Sequence, residues 1–166
     1  HAAYGNNRDA PVYIQSFEVN NLQYLRSKTK LRLIQLLSAN GQPYDFQLSG
    51  DERRYQDLAR SAGLDFLKGF VDGIGAHTQL IVPSDGKRLQ APTALIQEAH
   101  ARGLAVHGWT FRAESQFLPA ELARGSSPAA AGDMAGQLRV FLEAGMDGFF
   151  TDHPDLGREV LVKMTP

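Results

Sequence analysis

The chain has no cysteine among its 166 residues, which excludes disulfides, thiolate metal sites and a thiol nucleophile. It also lacks any uninterrupted apolar run approaching the roughly 18 residues of a membrane-spanning helix. No block of like charge occurs, and 17 basic against 18 acidic side chains leave a net charge of −1. Nothing in that balance asks for nucleic acid or an anionic membrane surface as partner. Tryptophan occurs once. The opening "HAAYGNNRDA" has no apolar h-region and is not a signal peptide, so the chain is expected to follow a removed signal or to begin inside a longer protein. The absence of free thiols suits an oxidising compartment, although many cytosolic proteins share it.

What is present is an alternation of short apolar runs with amphipathic stretches, the pattern of a parallel α/β architecture. Strands are expected at Pro11–Phe17, Leu31–Leu37, Phe70–Ala76, Leu104–Phe111 and Met146–Phe150. Helices are expected in "VNNLQYLRSKT" with Asn20 as cap, in "DERRYQDLARSAGL", in "APTALIQEAHARG" between Thr93 and Gly103, after Asp133, and from Asp155 onward. "ANGQPYDF" reads as a loop from its Gly, Pro and Asn content. "RAESQFLPAELARGSSPAAAG" is a long connection and therefore a candidate functional loop. The paired glycines of "FVDGIGA" mark a place where backbone approaches something closely. No repeat and no linker divides the chain, so it reads as one domain. Parallel strands joined by crossovers make either an open sheet or part of a closed barrel, and a full (β/α)₈ barrel takes about 250 residues.

"VYIQSFE", "VDGIG", "HGWTF" and "GMDGFFTDHPDL" in this order resemble the glycerophosphodiester phosphodiesterase family, most closely its periplasmic bacterial branch. The resemblance runs from about Pro11 to Leu161 and implies a TIM (β/α)₈ barrel. This chain would hold about its last five strands, residues 1–166 forming the C-terminal part of a single barrel domain. The activity implied is hydrolysis of glycerophosphodiesters to glycerol 3-phosphate and an alcohol. In that chemistry a divalent cation, calcium or magnesium, neutralises phosphate charge while two histidines serve as acid and base. The family's H-R-G, E-x-D and E-I-K motifs are absent here. The resemblance therefore implies that metal and acid–base groups lie in a missing N-terminal part, and that this chain alone binds no cation and is inactive. Its partners would be the diester substrate and either that missing half or another copy of the chain. A periplasmic or secreted location follows from the resemblance alone.

Barrel sites stand at the C-terminal ends of strands, which singles out several residues. Trp109 is either a core residue whose indole N–H needs a partner or, as the resemblance implies, an apolar wall against the glycerol or head-group moiety. Phe17, ending its strand, is either a core or a pocket residue; it shares one face of the first strand with Gln15, with Ser16 on the other, and which face is luminal stays open. Glu18 either reaches the metal region or caps the next helix. Arg112 offers a guanidinium fork for phosphate, or is a solvated loop arginine. His77 is a polar pocket candidate at a strand end; His107, in phase with Trp109, is either a satisfied core histidine or a residue of a lower luminal layer; and His100 reads as a surface or packing histidine. Thr151 and Asp152 are either turn-satisfying groups ahead of Pro154 or the lip of a site. Asp152, His153 and Asp155 sit on one turn and are not expected to converge on an ion. Two other readings remain: a related lipid-head-group phosphodiesterase or lyase, and a non-catalytic α/β domain that binds a ligand or partner.

Overall fold

A computed structural model describes residues 4–164. Its strands are β1 (Tyr13–Ser16), β2 (Arg32–Leu37), β3 (Gly73–His77), β4 (Ala105–Phe111) and β5 (Gly148–Thr151). Its helices are α1 (Val19–Arg26), α2 (Tyr44–Ser49), α3 (Tyr55–Leu58), α4 (Ser61–Leu67), α5 (Thr78–Ile81), α6 (Leu95–His100), α7 (Met134–Glu143) and α8 (Pro154–Met164). The five strands form one sheet in the order β1-β2-β3-β4-β5, every neighbouring pair parallel. Strictly sequential order with a helix in each crossover is how consecutive strands of a (β/α)₈ barrel are laid down.

Side chains alternate between the two faces of each strand. Leu33, Leu37, Ile74, Ala76 and Val106 point to one face and are fully buried against Leu22, Leu58, Leu64, Ile96 and Leu138 of the helices. The other face carries Gln15, Phe17, Leu36 and Trp109, which line a common cavity. That face is the lumen of the barrel. The glycines of β3 are what the sheet needs there. A Cβ on Gly75 would stand 2.5 Å from Leu36 Cδ2, and one on Gly73 would stand 2.6 Å from the Ala105 carbonyl oxygen. The expectation of close approach at these glycines is met. At the far end of α6, Gly103 takes φ +72°, the left-handed conformation that closes a helix.

Several boundaries move. β3 begins at Gly73 and leaves Phe70 in the core, β5 is shifted to Gly148–Thr151, and the last helix starts one residue early at Pro154. Asn20 does not cap α1: Glu18 occupies that position, and Asn20 is already inside the helix. The expected single helix after Asp51 is two short ones, α3 and α4, separated at Ala59–Arg60. The close packing of Gly63 on the Leu58 backbone leaves no room for a Cβ there, which sets the angle between them. "ANGQPYDF" is a loop only as far as Pro43, after which α2 begins. Thr93 lies one residue outside the cap position of α6, yet its hydroxyl still accepts the Leu95 N–H at 3.3 Å. Asp133 caps α7 as expected, its carboxylate accepting the Gly136 N–H at 2.7 Å.

Candidate active-site face

The first element of the face is the end of β1. Ser16 points outward, and its hydroxyl oxygen accepts the Glu18 N–H and the Asn21 amide, both at 2.9 Å, which turns the chain into α1. Gln35, fully buried in the middle of β2, donates its side-chain amide to the carbonyls of Phe17 (2.8 Å), Leu36 (3.1 Å) and Ser16 (3.3 Å). Phe17 is thereby delivered to the lumen beside Gln15. Glu18 goes elsewhere. Its carboxylate accepts the N–H groups of Asp45 (2.6 Å) and Tyr44 (3.4 Å) at the start of α2, while the Asp45 carboxylate accepts the Asn20 N–H (2.6 Å) of α1. Of its two expected roles, Glu18 thus serves a helix terminus, and that terminus belongs to α2 rather than α1. Burial and these two carboxylates push the phenol of neighbouring Tyr55 up to about 12.

β3 and β4 supply the centre. The His77 ring opens α5, its Nδ1 accepting the Gln79 N–H at 3.1 Å. Burial holds its pKa below the ordinary histidine value. Trp109 donates its indole N–H to the Gly75 carbonyl at 2.7 Å, which the glycine backbone of β3 makes reachable. Phe17 and His77 pack edge-to-face on it at 5.7 and 4.9 Å. The peptide between Trp109 and Thr110 is cis, and the β4–β5 ladder shifts register between Gly108 and Phe111. His107, lower on the same strand, stands edge-to-face against Tyr13 on the luminal side, and burial lowers its pKa too. His100 lies on the surface paired with Asp147 at 2.8 Å.

The "TDHPD" turn closes the face. Thr151 accepts the His153 N–H at 3.0 Å, Asp152 pairs with Arg112 Nε at 2.6 Å, and His153 Nε2 lies 3.2 Å from Glu114. Thr151 satisfies the backbone of the turn, and Thr151 and Asp152 both line the luminal cavity. Arg112 is paired through Nε with Asp152 and stacked on Phe117 at 4.9 Å, and its side chain also lines a cavity beside Trp109. Asp152, His153 and Asp155 do not converge, and no group of three or more His, Asp or Glu side chains suited to a metal occurs among the described residues. The described residues do not by themselves form a divalent-cation site.

Two cavities flank Trp109 and Thr110. The luminal one, about 330 Å³, is lined by Gln15, Phe17, Leu36, Phe150, Thr151 and Asp152 as well. A lateral one, about 360 Å³, opens between α5, the start of α7 and the long connection after β4, and includes His77, Arg112 and Gln137. Gln35, Thr110, Glu114 and Gln137 were not expected in or behind the site. Gln35 had a legible signal: a lone amide in the apolar run "LRLIQLL" requires partners wherever it is buried. Gln137 gave none, because a glutamine on an amphipathic helix reads as solvent-facing.

Five successive parallel strands with a pocketed C-terminal end define a portion of a TIM-barrel enzyme fold. Solved structures from Silicibacter pomeroyi DSS-3 and Agrobacterium tumefaciens C58, both carrying the glycerophosphoryl diester phosphodiesterase name, have this fold. They match with TM-scores of 0.56 and 0.51 at 19% and 18% identity. The matches cover 92% and 90% of this chain and 38% and 43% of those chains. The model of the glycerophosphoryl diester phosphodiesterase family matches residues 2–156, and the chain belongs to that family. It is also 36% identical over 147 residues to the glycerophosphodiester phosphodiesterase GDPD6 of Arabidopsis thaliana, a match that covers 86% of this chain and 35% of that relative's length.

Proposed function

We propose that this chain forms the substrate-facing wall of a phosphodiesterase that hydrolyses glycerophosphodiesters to glycerol 3-phosphate and an alcohol. The observation that carries the reading is the convergence of Gln15, Phe17, Trp109 and Asp152 on one cavity at the C-terminal ends of β1, β4 and β5, in a chain of this family. That is the end of a barrel where chemistry is done. Phe17 and Trp109 give an apolar surface for carbon, and the Gln15 amide a donor for a substrate oxygen.

The divalent cation, calcium or magnesium, and the acid–base histidines would come from polypeptide outside these 166 residues; in support, no group of three or more His, Asp or Glu side chains suited to a metal occurs among the described residues. β1 and β5 each pair on one side only, and Tyr13, Phe17 and Phe150 stand 44%, 38% and 39% exposed. Both features favour completion by further barrel strands or by another copy. We assign a periplasmic or secreted location on the family resemblance of the sequence.

The test is release of glycerol 3-phosphate from a glycerophosphodiester. The 166-residue chain alone is expected to give none above background, and the complete protein is expected to give metal-dependent release. Trp109→Ala in the complete protein should lower kcat/KM by about tenfold or more, the effect of losing a positioning wall. A complete protein that cleaves no diester but still binds one would favour the non-catalytic reading.

A further inference from the structure

Four glycines follow directly on an Asn or Asp whose side-chain carbonyl carbon lies within reach of the glycine nitrogen: Gly41 after Asn40, and Gly73, Gly86 and Gly148 after Asp72, Asp85 and Asp147. Glycine has no Cβ to crowd its N–H, so in each pair that nitrogen is a potential nucleophile toward the preceding side chain. The fold separates the four. Asp72 accepts the Leu33 N–H at 2.8 Å and pairs with Arg26 at 3.0 Å. Asp147 accepts the Val106 N–H at 2.7 Å and pairs with His100 at 2.8 Å. Asp85 accepts the N–H groups of Lys87 and Arg88, both at 2.8 Å, while Gly86 gives its own N–H to the Ser84 hydroxyl at 3.0 Å. All three are carboxylates, which resist attack by a nucleophile far more than a neutral amide does.

Asn40 differs in every respect. It is an amide, it is exposed, and it stands in the connection between β2 and α2. Neither its side chain nor the Gly41 N–H is engaged by another described residue. Gly41 takes φ +82°, and nothing lies within 4 Å of where a Cβ would stand on it, so the pair has open space around it. The carbonyls on either side are fixed. That of Ala39 accepts the Gln56 side-chain amide at 2.9 Å, and that of Gly41 accepts the Tyr55 N–H at 3.1 Å. Together they hold the start of α3, a helix of four residues and too short to stand on local interactions alone.

We infer that Asn40–Gly41 is a site of spontaneous covalent modification, deamidation through a succinimide, and that its product loosens the start of α3. Hydroxide removes the Gly41 amide proton, the nitrogen bonds to Asn40 Cγ, and the Cγ–Nδ2 bond breaks with release of ammonia. Water then opens the five-membered ring at either carbonyl, leaving aspartate or β-linked isoaspartate at position 40. The β-linkage reroutes the main chain through the former side chain and inserts a methylene between the two carbonyls that hold α3. Tyr55 packs edge-to-face on Phe17 at 5.9 Å, so the change occurs one contact behind the luminal wall. The inference is independent of whether the protein hydrolyses a diester.

The experiment ages the complete protein at physiological temperature, at neutral and at mildly alkaline pH, and maps its peptides by mass spectrometry. The peptide that spans Asn40 and Gly41 is expected to gain about 1 Da and to separate into two products, one of them labelled by an isoaspartyl O-methyltransferase. Conversion should be faster at the higher pH, because the attacking nitrogen must first lose its proton. In the isoaspartate fraction, hydrogen exchange of the amides from Tyr55 to Leu58 should be faster by about fivefold or more, the scale of one lost hydrogen bond. Asn40→Gln alters an exposed side chain and requires a six-membered ring, which closes far more slowly; it should abolish both the mass gain and the faster exchange. No isoaspartate at position 40, over a time in which a free peptide of the same sequence converts, overturns the site. Conversion with unaltered exchange in α3 overturns the loosening, as does faster exchange that persists in the aged Asn40→Gln protein.

Discussion

At the scale of single residues, the two half-buried histidines of β3 and β4 make stability depend on pH in a definite direction. Burial disfavours the charged imidazolium, so His77 and His107 titrate below the ordinary value in the folded chain. For His107 the Asp147 carboxylate opposes this, but less strongly. As pH falls below about 6.5, the unfolded chain takes up these protons before the folded one does. Stability is therefore full above that value and declines as pH drops toward the depressed folded values. His77 has a further reason, since its Nδ1 must stay unprotonated to accept the Gln79 N–H. The melting temperature is expected to fall between about pH 7 and pH 5. His77→Asn keeps a short acceptor at the helix start and should flatten part of that decline. A melting curve with the same pH slope in the variant would remove His77 from the account.

At the scale of elements, the exchange of carboxylates between α1 and α2 does what neither helix does within itself. α2 is too short to be stable on local interactions alone, and it is held by Glu18, 26 and 27 residues upstream of the amides it caps. Glu18→Ala and Asp45→Ala are each expected to cost about 1 kcal/mol in urea unfolding, the usual worth of a cap. The pair should depart from additivity because both act on one junction. In the complete protein, Glu18→Ala should change kcat/KM by less than about threefold, given its distance from chemistry; a loss of a hundredfold or more would return Glu18 to the reaction site.

This exchange also shows where sequence reading stops. The five strands and the amphipathic helix after Asp133 were legible because periodicity and a local cap encode them in contiguous residues. The luminal placement of Gln15, Phe17 and Trp109 followed from strand phase once the face was known. Glu18 was misread as a partner of its own helix because its true partner is distant in sequence. The pairing of Arg112 Nε with Asp152, 40 residues away, was not legible. Gln137 hid in an ordinary amphipathic pattern. The first two are long-range pairings of polar groups, which no local window contains.

At the scale of the whole molecule, the sheet has two open edges and an open inner face. Edge strands with free N–H and C=O groups pair with whatever strand is available, and the exposed Tyr13, Phe17 and Phe150 lie beside them. Sedimentation of the purified chain at about 50 µM is expected to give a species heavier than its own 18.2 kDa mass, because open edges drive association. Addition of the strands that complete the barrel should convert this to a defined complex. A monodisperse 18.2 kDa monomer would mean that five strands are self-sufficient.

The position of Trp109 has one more consequence. It is the chain's only tryptophan, and it forms part of the boundary between the luminal and lateral cavities. Indole emission from this chain therefore originates at a single address. A ligand that settles on one side and a ligand that settles on the other perturb the same fluorophore through different neighbours, Phe17 and Gln15 in one case, His77 and Thr78 in the other. Nature has in effect placed a label in the partition, so occupancy of either compartment can be followed by light without attaching anything to the protein.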